Sequence, residues 1–212
     1  MEVNQFTDLT FEEFRSTHTG VIVPKERSEA MKNFKFPEPE INTNLTSSLV
    51  GLEQKSIHPT VGKITELPPY KSWYDEGFVS KPENQGSCGA CWSFSSTSAV
   101  EALALIHGLD KELTPLSMQQ LLDCDKANYG CVGGWMYEGF NYISKNGALK
   151  KSEYRQYHKH AGECEVTDQS LNEHYHIKDI GFTEHDGRSN EEFKELLQKQ
   201  PISVAVKISG AM

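Results

Sequence analysis

The first 87 residues of this 212-residue chain contain no cysteine, and nowhere does the chain hold about 18 consecutive apolar residues. The second absence excludes a transmembrane helix. A basic excess is lacking too, with 21 Lys plus Arg against 30 Asp plus Glu and a net charge of −9. A nucleic-acid binder needs a basic stripe, so this charge argues against nucleic acid as a partner. No charged segment followed by an apolar core opens the chain, which therefore reads without a signal peptide. There is no internal repeat and no low-complexity tract. The composition is that of a globular protein, 37 % hydrophobic and 24 % charged. It is long enough to bury about 70 % of the unfolded chain's surface.

The chain changes character along its length. Residues 1–32 read as a short helical piece, where Thr10 and Glu13 have capping-box spacing and Phe11 and Phe14 share a face. In residues 33–69, Pro37, Pro39, Pro59, Pro68 and Pro69 punctuate polar clusters and favour extended chain. That stretch holds the sequon Asn44-Leu45-Thr46, a hint of a secretory route. From Cys91 to His107 there is neither Pro nor Gly, which predicts a helix stopped by Gly108, with Phe94, Val100, Leu103 and Ile106 as its apolar side. A second short helix is expected over residues 116–122. Ser189 and Glu192 form a capping box for a third, carrying Phe193, Leu196 and Leu197 and ended by Pro201. Ile202, Val204, Val206 and Ile208 then alternate with Ser203, Ala205 and Lys207, the pattern of a half-buried strand.

Five cysteines fall in the second half: Cys88, Cys91, Cys124, Cys131 and Cys164. An odd count leaves at least one thiol unpaired within the chain. Two bridges and one free thiol would suit an oxidising compartment, and five reduced thiols the cytosol; the count alone leaves both open. The informative stretch is Gln85-Gly86-Ser87-Cys88-Gly89-Ala90-Cys91-Trp92. Here a glycine-rich turn enters a long helix at Cys91. Unpaired N–H groups and the partial positive charge of a helix start favour a thiolate, the stronger nucleophile. The Cys91 backbone N–H and the Gln85 amide are candidate donors to a developing oxyanion. Cys88-x-x-Cys91 is also the spacing of a redox pair or of half a zinc site. A zinc ribbon needs a second close pair, but Cys124 and Cys131 have six residues between them. A redox pair would follow a βαβ pattern, and a Pro-rich stretch stands there instead.

Cys88-Gly89-Ala90-Cys91-Trp92 resembles the nucleophile signature of the papain-like cysteine proteases, and within them the cathepsin L-like branch. Leu116-Ser117-Met118-Gln119-Gln120-Leu121-Leu122-Asp123-Cys124-Asp125 is similar to the family's Leu-Ser-Glu-Gln-Gln-Leu-Val-Asp-Cys-Asp, with Met118 in place of Glu. Gly130-Cys131-Val132-Gly133-Gly134 is similar to Gly-Cys-Asn-Gly-Gly, with Val132 in place of Asn. Asn4-Gln5-Phe6-Thr7-Asp8-Leu9-Thr10 and Glu12-Glu13-Phe14 resemble the end of the family's inhibitory pro-segment. Tyr157-His158-Lys159 departs from the usual Tyr-Pro-Tyr, and Pro82-Glu83 from Val-Lys. The similarity covers residues 4–20 and about 67–208.

The resemblance implies an α+β fold of two lobes, a helical lobe and a β-barrel lobe, with the barrel incomplete in this chain. It implies residues 1–66 as the end of a pro-segment with its linker, and residues 67–212 as a peptidase domain. Cys91 is then the nucleophile and Gln85 the oxyanion donor. Cys88 pairs with Cys131, and Cys124 with Cys164. Gly133 and Gly134 offer backbone edges to an extended substrate, and Trp135, Met136 and Ala205 fall where the family forms its main specificity pocket. The last two also read as ordinary core residues. Partners are a peptide or protein substrate and the chain's own pro-segment as inhibitor, with no nucleic acid and no membrane, in a monomer. No metal or organic cofactor is implied. The location is lysosomal or extracellular.

The family's catalytic His and Asn lie roughly 130–150 residues beyond the cysteine, and Cys91 is followed by only 121 residues. His107 stands sixteen residues along the same helix, about 24 Å away, whereas a base must come within about 3 Å. His18 and His58 fall in the pro-segment and linker. His158, His160, His174, His176 and His185 read as solvated loop residues; His174-x-His176 projects two imidazoles from one strand face, without a third ligand. Met1-Glu2-Val3-Asn4 matches an interior part of the pro-segment, so both ends read as cut. The chain by itself is expected to be inactive, and poorly soluble through the open apolar edge of its 202–208 strand. The rival reading is a pseudo-protease, or a peptide-binding or inhibitor fragment, and an intact Cys91 argues against it.

Overall fold

In the computed structural model, residues 12–13, 19–22, 67–173, 176–177, 181–182 and 190–206 are described. Thr10, the Pro-rich stretch up to residue 66, Asn44, His18, His58, His174, His185 and Ser189 lie outside them. Helix α1 (Cys91–Ile106) is the longest element, followed by α2 (Met118–Cys124), a 3-10 turn at Gly130–Val132 and α3 (Met136–Asn146). Strand β1 (Ala148–Leu149), α4 (Asp168–Glu173), β2 (His176–Ile177) and α5 (Asn190–Lys199) complete the order. β1 and β2 pair antiparallel, Ala148 opposite Ile177 and Leu149 opposite His176. The described residues are thus mixed helix and strand, and they contain no barrel.

The three helices α1, α2 and α3 meet around Trp92, which is fully buried with Leu121, Leu116 and Ile143. Each such side chain contributes roughly 2–3 kcal/mol of burial free energy. The expected apolar side of α1 is only partly right. Val100 is buried and Phe94 is partly buried against the core, Leu103 and Ile106 are only partly buried, and the deepest positions include Ser93, Ser96, Thr97, Ala102 and Ala104. These small side chains let neighbouring helices approach closely. Their hydroxyls bond back to α1 itself: Ser96 Oγ donates to Trp92 O at 2.8 Å and Thr97 Oγ1 to Ser93 O at 3.0 Å. At the α1–α3 crossing, a side chain on Gly139 would run into Ser96 Oγ.

Helix α2 begins at Ser117, whose hydroxyl accepts from Gln120 N at 3.1 Å. Every residue of α2 is buried, so its polar groups need partners. Gln120 finds them in Leu149 N and Gly147 O. Two disulfides staple the region, Cys88–Cys131 and Cys124–Cys164, spanning 43 and 40 residues and leaving Cys91 as the free cysteine. Each is worth about 4 kcal/mol by loop-closure entropy. The strand expected over 202–208 is not formed where it is described: residues 201–206 carry no strand pairing, and Val204 and Val206 are 50 % and 75 % exposed. Alternation specifies two faces, but a strand also needs a neighbouring backbone, and none pairs with it among the described residues.

Candidate active site

Cys91 is the first residue of α1, and Ala90 precedes it as the cap. The turn before it is held from several sides. Asn84 Oδ1 accepts from Gly86 N at 2.8 Å, Tyr157 Oη donates to Gln85 O at 2.6 Å, and Gly89 N donates to Cys131 O at 2.8 Å beside the Cys88–Cys131 bridge. Burial pushes the Tyr157 phenol up to about 12, so it stays a donor to Gln85 O across the neutral range. Gln85 and Cys91 line one cleft of about 730 Å³, together with Phe94, Glu101, Met118 and Ile202. The residues expected as nucleophile and amide donor therefore border the same open space.

A short piece of the N-terminal chain lies across this turn. Val21 forms a parallel bridge with Gly134: Gly134 N donates to Gly20 O at 2.7 Å, and Ile22 N donates to Gly134 O at 2.9 Å. Gly134 thus presents both its backbone groups to residues 20–22, and Gly20 N–H reaches the Cys91 sulfur. Gly20 has to be glycine for this approach. A Cβ there would collide with the Gly89 backbone, and one on Gly133, whose φ is +138°, would strike Gly20 O. The thiol responds to this setting. Burial pushes Cys91 above its ordinary value, against the pull of the amides of Trp92, Cys91 and Gly20. The amides at the helix start act in the expected direction, toward the thiolate, and desolvation opposes them with the larger effect.

The Gly133–Gly134 loop is fixed by residues that sequence reasoning missed. Asn128 Oδ1 accepts from Trp135 N at 2.7 Å, and Asn128 Nδ2 donates to Asp125 Oδ2 at 2.7 Å. Burial raises the Asp125 carboxyl, while the amides of Ala127 and Asn128 act to lower it. No local pattern marks Asn128; only its position between the Cys124 and Cys131 bridges hints at a constrained loop. Trp135 and Met136 are buried in the core and Ala205 is exposed, and none of the three lines the cleft that holds Cys91. His107, His158 and His160 do not line it either.

Residues 67–212 match the family described as Papain family cysteine protease. The chain belongs to this family. It is 32 % identical over 212 residues to "Cysteine protease XCP2" of Arabidopsis thaliana, which covers 98 % of this chain and 51 % of that protein. It is 34 % identical over 166 residues to "Cathepsin J" of Rattus norvegicus, covering 77 % of this chain and 41 % of that protein. Among solved structures it is similar to digestive procathepsin L2 proteinase from the larval midgut of Tenebrio molitor. There the TM-score is 0.57 at 32 % identity, over 80 % of this chain and 48 % of that one. The recombinant stem bromelain precursor gives 0.52 at 30 % identity, over 78 % and 44 %. The chain thus spans about half the length of the curated relatives it matches. The neighbours carry the papain-like fold, and several are proforms. Nothing in these comparisons favours the non-catalytic reading. No described helix is long and apolar enough to cross a membrane.

Proposed function

We propose that this chain is part of a cysteine endopeptidase made as a zymogen, with residues 1–66 as inhibitory pro-segment and linker and residues 67–212 as peptidase domain. Cys91 Sγ attacks the scissile carbonyl, and the Gln85 amide and the Cys91 backbone N–H hold the oxyanion. Collapse of the intermediate expels the amine and leaves a thioester on Cys91, which water hydrolyses. The base that takes the thiol proton must stand within about 3 Å of it; it is an imidazole contributed by a part of the protein outside this chain. Gly133 and Gly134 take up the substrate backbone. Trp135, Met136 and Ala205 are not assigned to a specificity pocket, because none lines the cleft that holds Cys91. The enzyme works as a monomer, without a metal, in a lysosome or outside the cell.

The observation that carries this reading is the pairing of residues 20–22 on Gly134 across the start of α1. A peptide backbone already occupies the ground that a substrate backbone would need, beside Cys91. The test is peptide hydrolysis by the full-length protein. Activity is expected to rise when the N-terminal segment is cleaved and to vanish in Cys91→Ala. Undiminished hydrolysis by Cys91→Ala overturns the assignment.

A further inference from the structure

We infer that Tyr157 is a positioning residue for the oxyanion donor: it sets Gln85 relative to Cys91 by tying the Gln85 backbone to the helix that carries the nucleophile. The inference rests on the reading of Cys91 as nucleophile and Gln85 as donor. The peptide unit between Gln85 and Gly86 is gripped at both of its polar ends. Its carbonyl oxygen accepts from Tyr157 Oη at 2.6 Å, and its N–H, on Gly86, donates to Asn84 Oδ1 at 2.8 Å. The Lys159 side chain covers Gly86 from the outside. A peptide unit is planar and includes the α-carbon on either side. A grip on both ends therefore fixes where the Gln85 side chain leaves the backbone.

Tyr157 can hold Gln85 because it is itself held by two helices. Its ring meets Phe94 edge to face, with centroids 4.9 Å apart and planes 84° to one another. Phe94 lies on α1 one turn after Cys91, so the ring that aims the hydroxyl belongs to the nucleophile's own helix. Fully buried Gln119 of α2 anchors the backbone that follows: its Oε1 accepts from His158 N at 3.2 Å, and its Nε2 donates to His160 O at 2.9 Å. Burial keeps the phenol protonated at neutral pH, so the bond to Gln85 O persists where a peptidase would work. Cys91, Phe94, Tyr157 and the Gln85 peptide thus form one chain of contacts linking nucleophile to donor. An oxyanion donor acts only at about 2.7–3.1 Å from the oxygen, and a misplacement of about 1 Å costs about 100-fold in rate. Without the hydroxyl the Gln85 peptide is gripped at its Asn84 end alone.

The test is peptide hydrolysis by the full-length protein after its N-terminal segment is cleaved. Tyr157→Phe keeps the ring and removes only the bond to Gln85 O. It should lower kcat about tenfold with KM within about twofold of wild type, because the donor acts on the transition state. Gln85→Ala should lower kcat about 100-fold. Adding Tyr157→Phe to Gln85→Ala should cause no further loss, since the tyrosine acts only through Gln85. Alkylation of Cys91 by iodoacetamide displaces iodide and forms no oxyanion, so Tyr157→Phe should label within about twofold of the wild-type rate. An unchanged kcat in Tyr157→Phe, a loss that persists on the Gln85→Ala background, or labelling slowed in step with hydrolysis overturns the inference. If Tyr157→Phe does not fold, Phe94→Leu carries the test, because it keeps the hydroxyl and loses the ring that aims it. It should lower kcat about threefold when Gln85 is intact and not at all in Gln85→Ala. Equal losses on both backgrounds, or none on either, overturn the inference. Hydrolysis retained in Cys91→Ala, or unaffected by Gln85→Ala, instead overturns the underlying reading and the inference together.

Discussion

Gly20→Ala isolates the contact that seats residues 20–22 on Gly134 beside Cys91. The new Cβ would stand inside the van der Waals envelope of three backbone atoms of Gly89. Gly89 is itself held by its bond to Cys131 O and by the adjacent Cys88–Cys131 bridge, so segment 19–22 has to move instead. Two backbone hydrogen bonds go with it, Gly134 N to Gly20 O and Ile22 N to Gly134 O. At about 1 kcal/mol net each, the closed state loses about 2 kcal/mol, or roughly 30-fold in its population relative to the open one. Cys91 is the free cysteine, so alkylation by iodoacetamide followed by intact mass reads the open population directly. Labelling of Gly20→Ala should be about 30-fold faster than wild type at neutral pH. Gly181→Ala, whose Cβ would meet nothing within 4 Å, should label at the wild-type rate. Equal rates for wild type and Gly20→Ala would refute the claim that residues 20–22 shield the Cys91 thiol.

Three further outcomes follow from the same structure. Glu101 is buried at the cleft with Oε1 accepting from Leu116 N at 2.8 Å, and desolvation first, then Glu83, raise its carboxyl from 4.5 to about 7. The folded chain keeps this proton where the unfolded chain releases it, so the stabilisation is fully present below pH 4.5 and is lost as pH rises to about 7, about 3 kcal/mol in all. Glu101→Gln should flatten that part of the pH dependence in thermal melts, and an unchanged slope would count against it. Asn128→Ala removes the bonds to Trp135 N and Asp125 and should cost about 2–3 kcal/mol in urea unfolding; a loss under 0.5 kcal/mol would contradict this. Val204→Lys with Val206→Lys should reduce aggregation by light scattering, because both valines are exposed on an unpaired segment; unchanged scattering would acquit that segment.

How much of this was legible in the sequence depends on how local the cause is. The start of α1 at Cys91 is a local event, a glycine-rich turn running into residues free of Pro and Gly, and it is read to the residue. The buried face of α1 is not, because Ser93, Ser96 and Thr97 do not look apolar. They become core residues only when their hydroxyls satisfy carbonyls of their own helix and α3 packs against them. Helix α3 went unread, since Gly139 interrupts the stretch; that glycine is there because Ser96 of α1 lies against it. Gln119 falls within a family-like motif that does not reveal its partners, and Asn128 shows no local signature at all. Gln119 bonds to residues some 40 positions away, and Asn128 reaches across a loop whose shape the disulfides decide. The 202–206 segment fails in the opposite sense: its local pattern is strong, and the pairing it requires is non-local.

The most direct test of the account is to locate the covalent intermediate. Reaction of the full-length protein with an activated peptide ester, quenched in acid and mapped by mass spectrometry, should place the acyl group on Cys91. Cys91→Ala should carry no adduct and release no product. An acyl group found on another residue, or product formed by Cys91→Ala at the wild-type rate, would contradict the claim that this sulfur performs the chemistry.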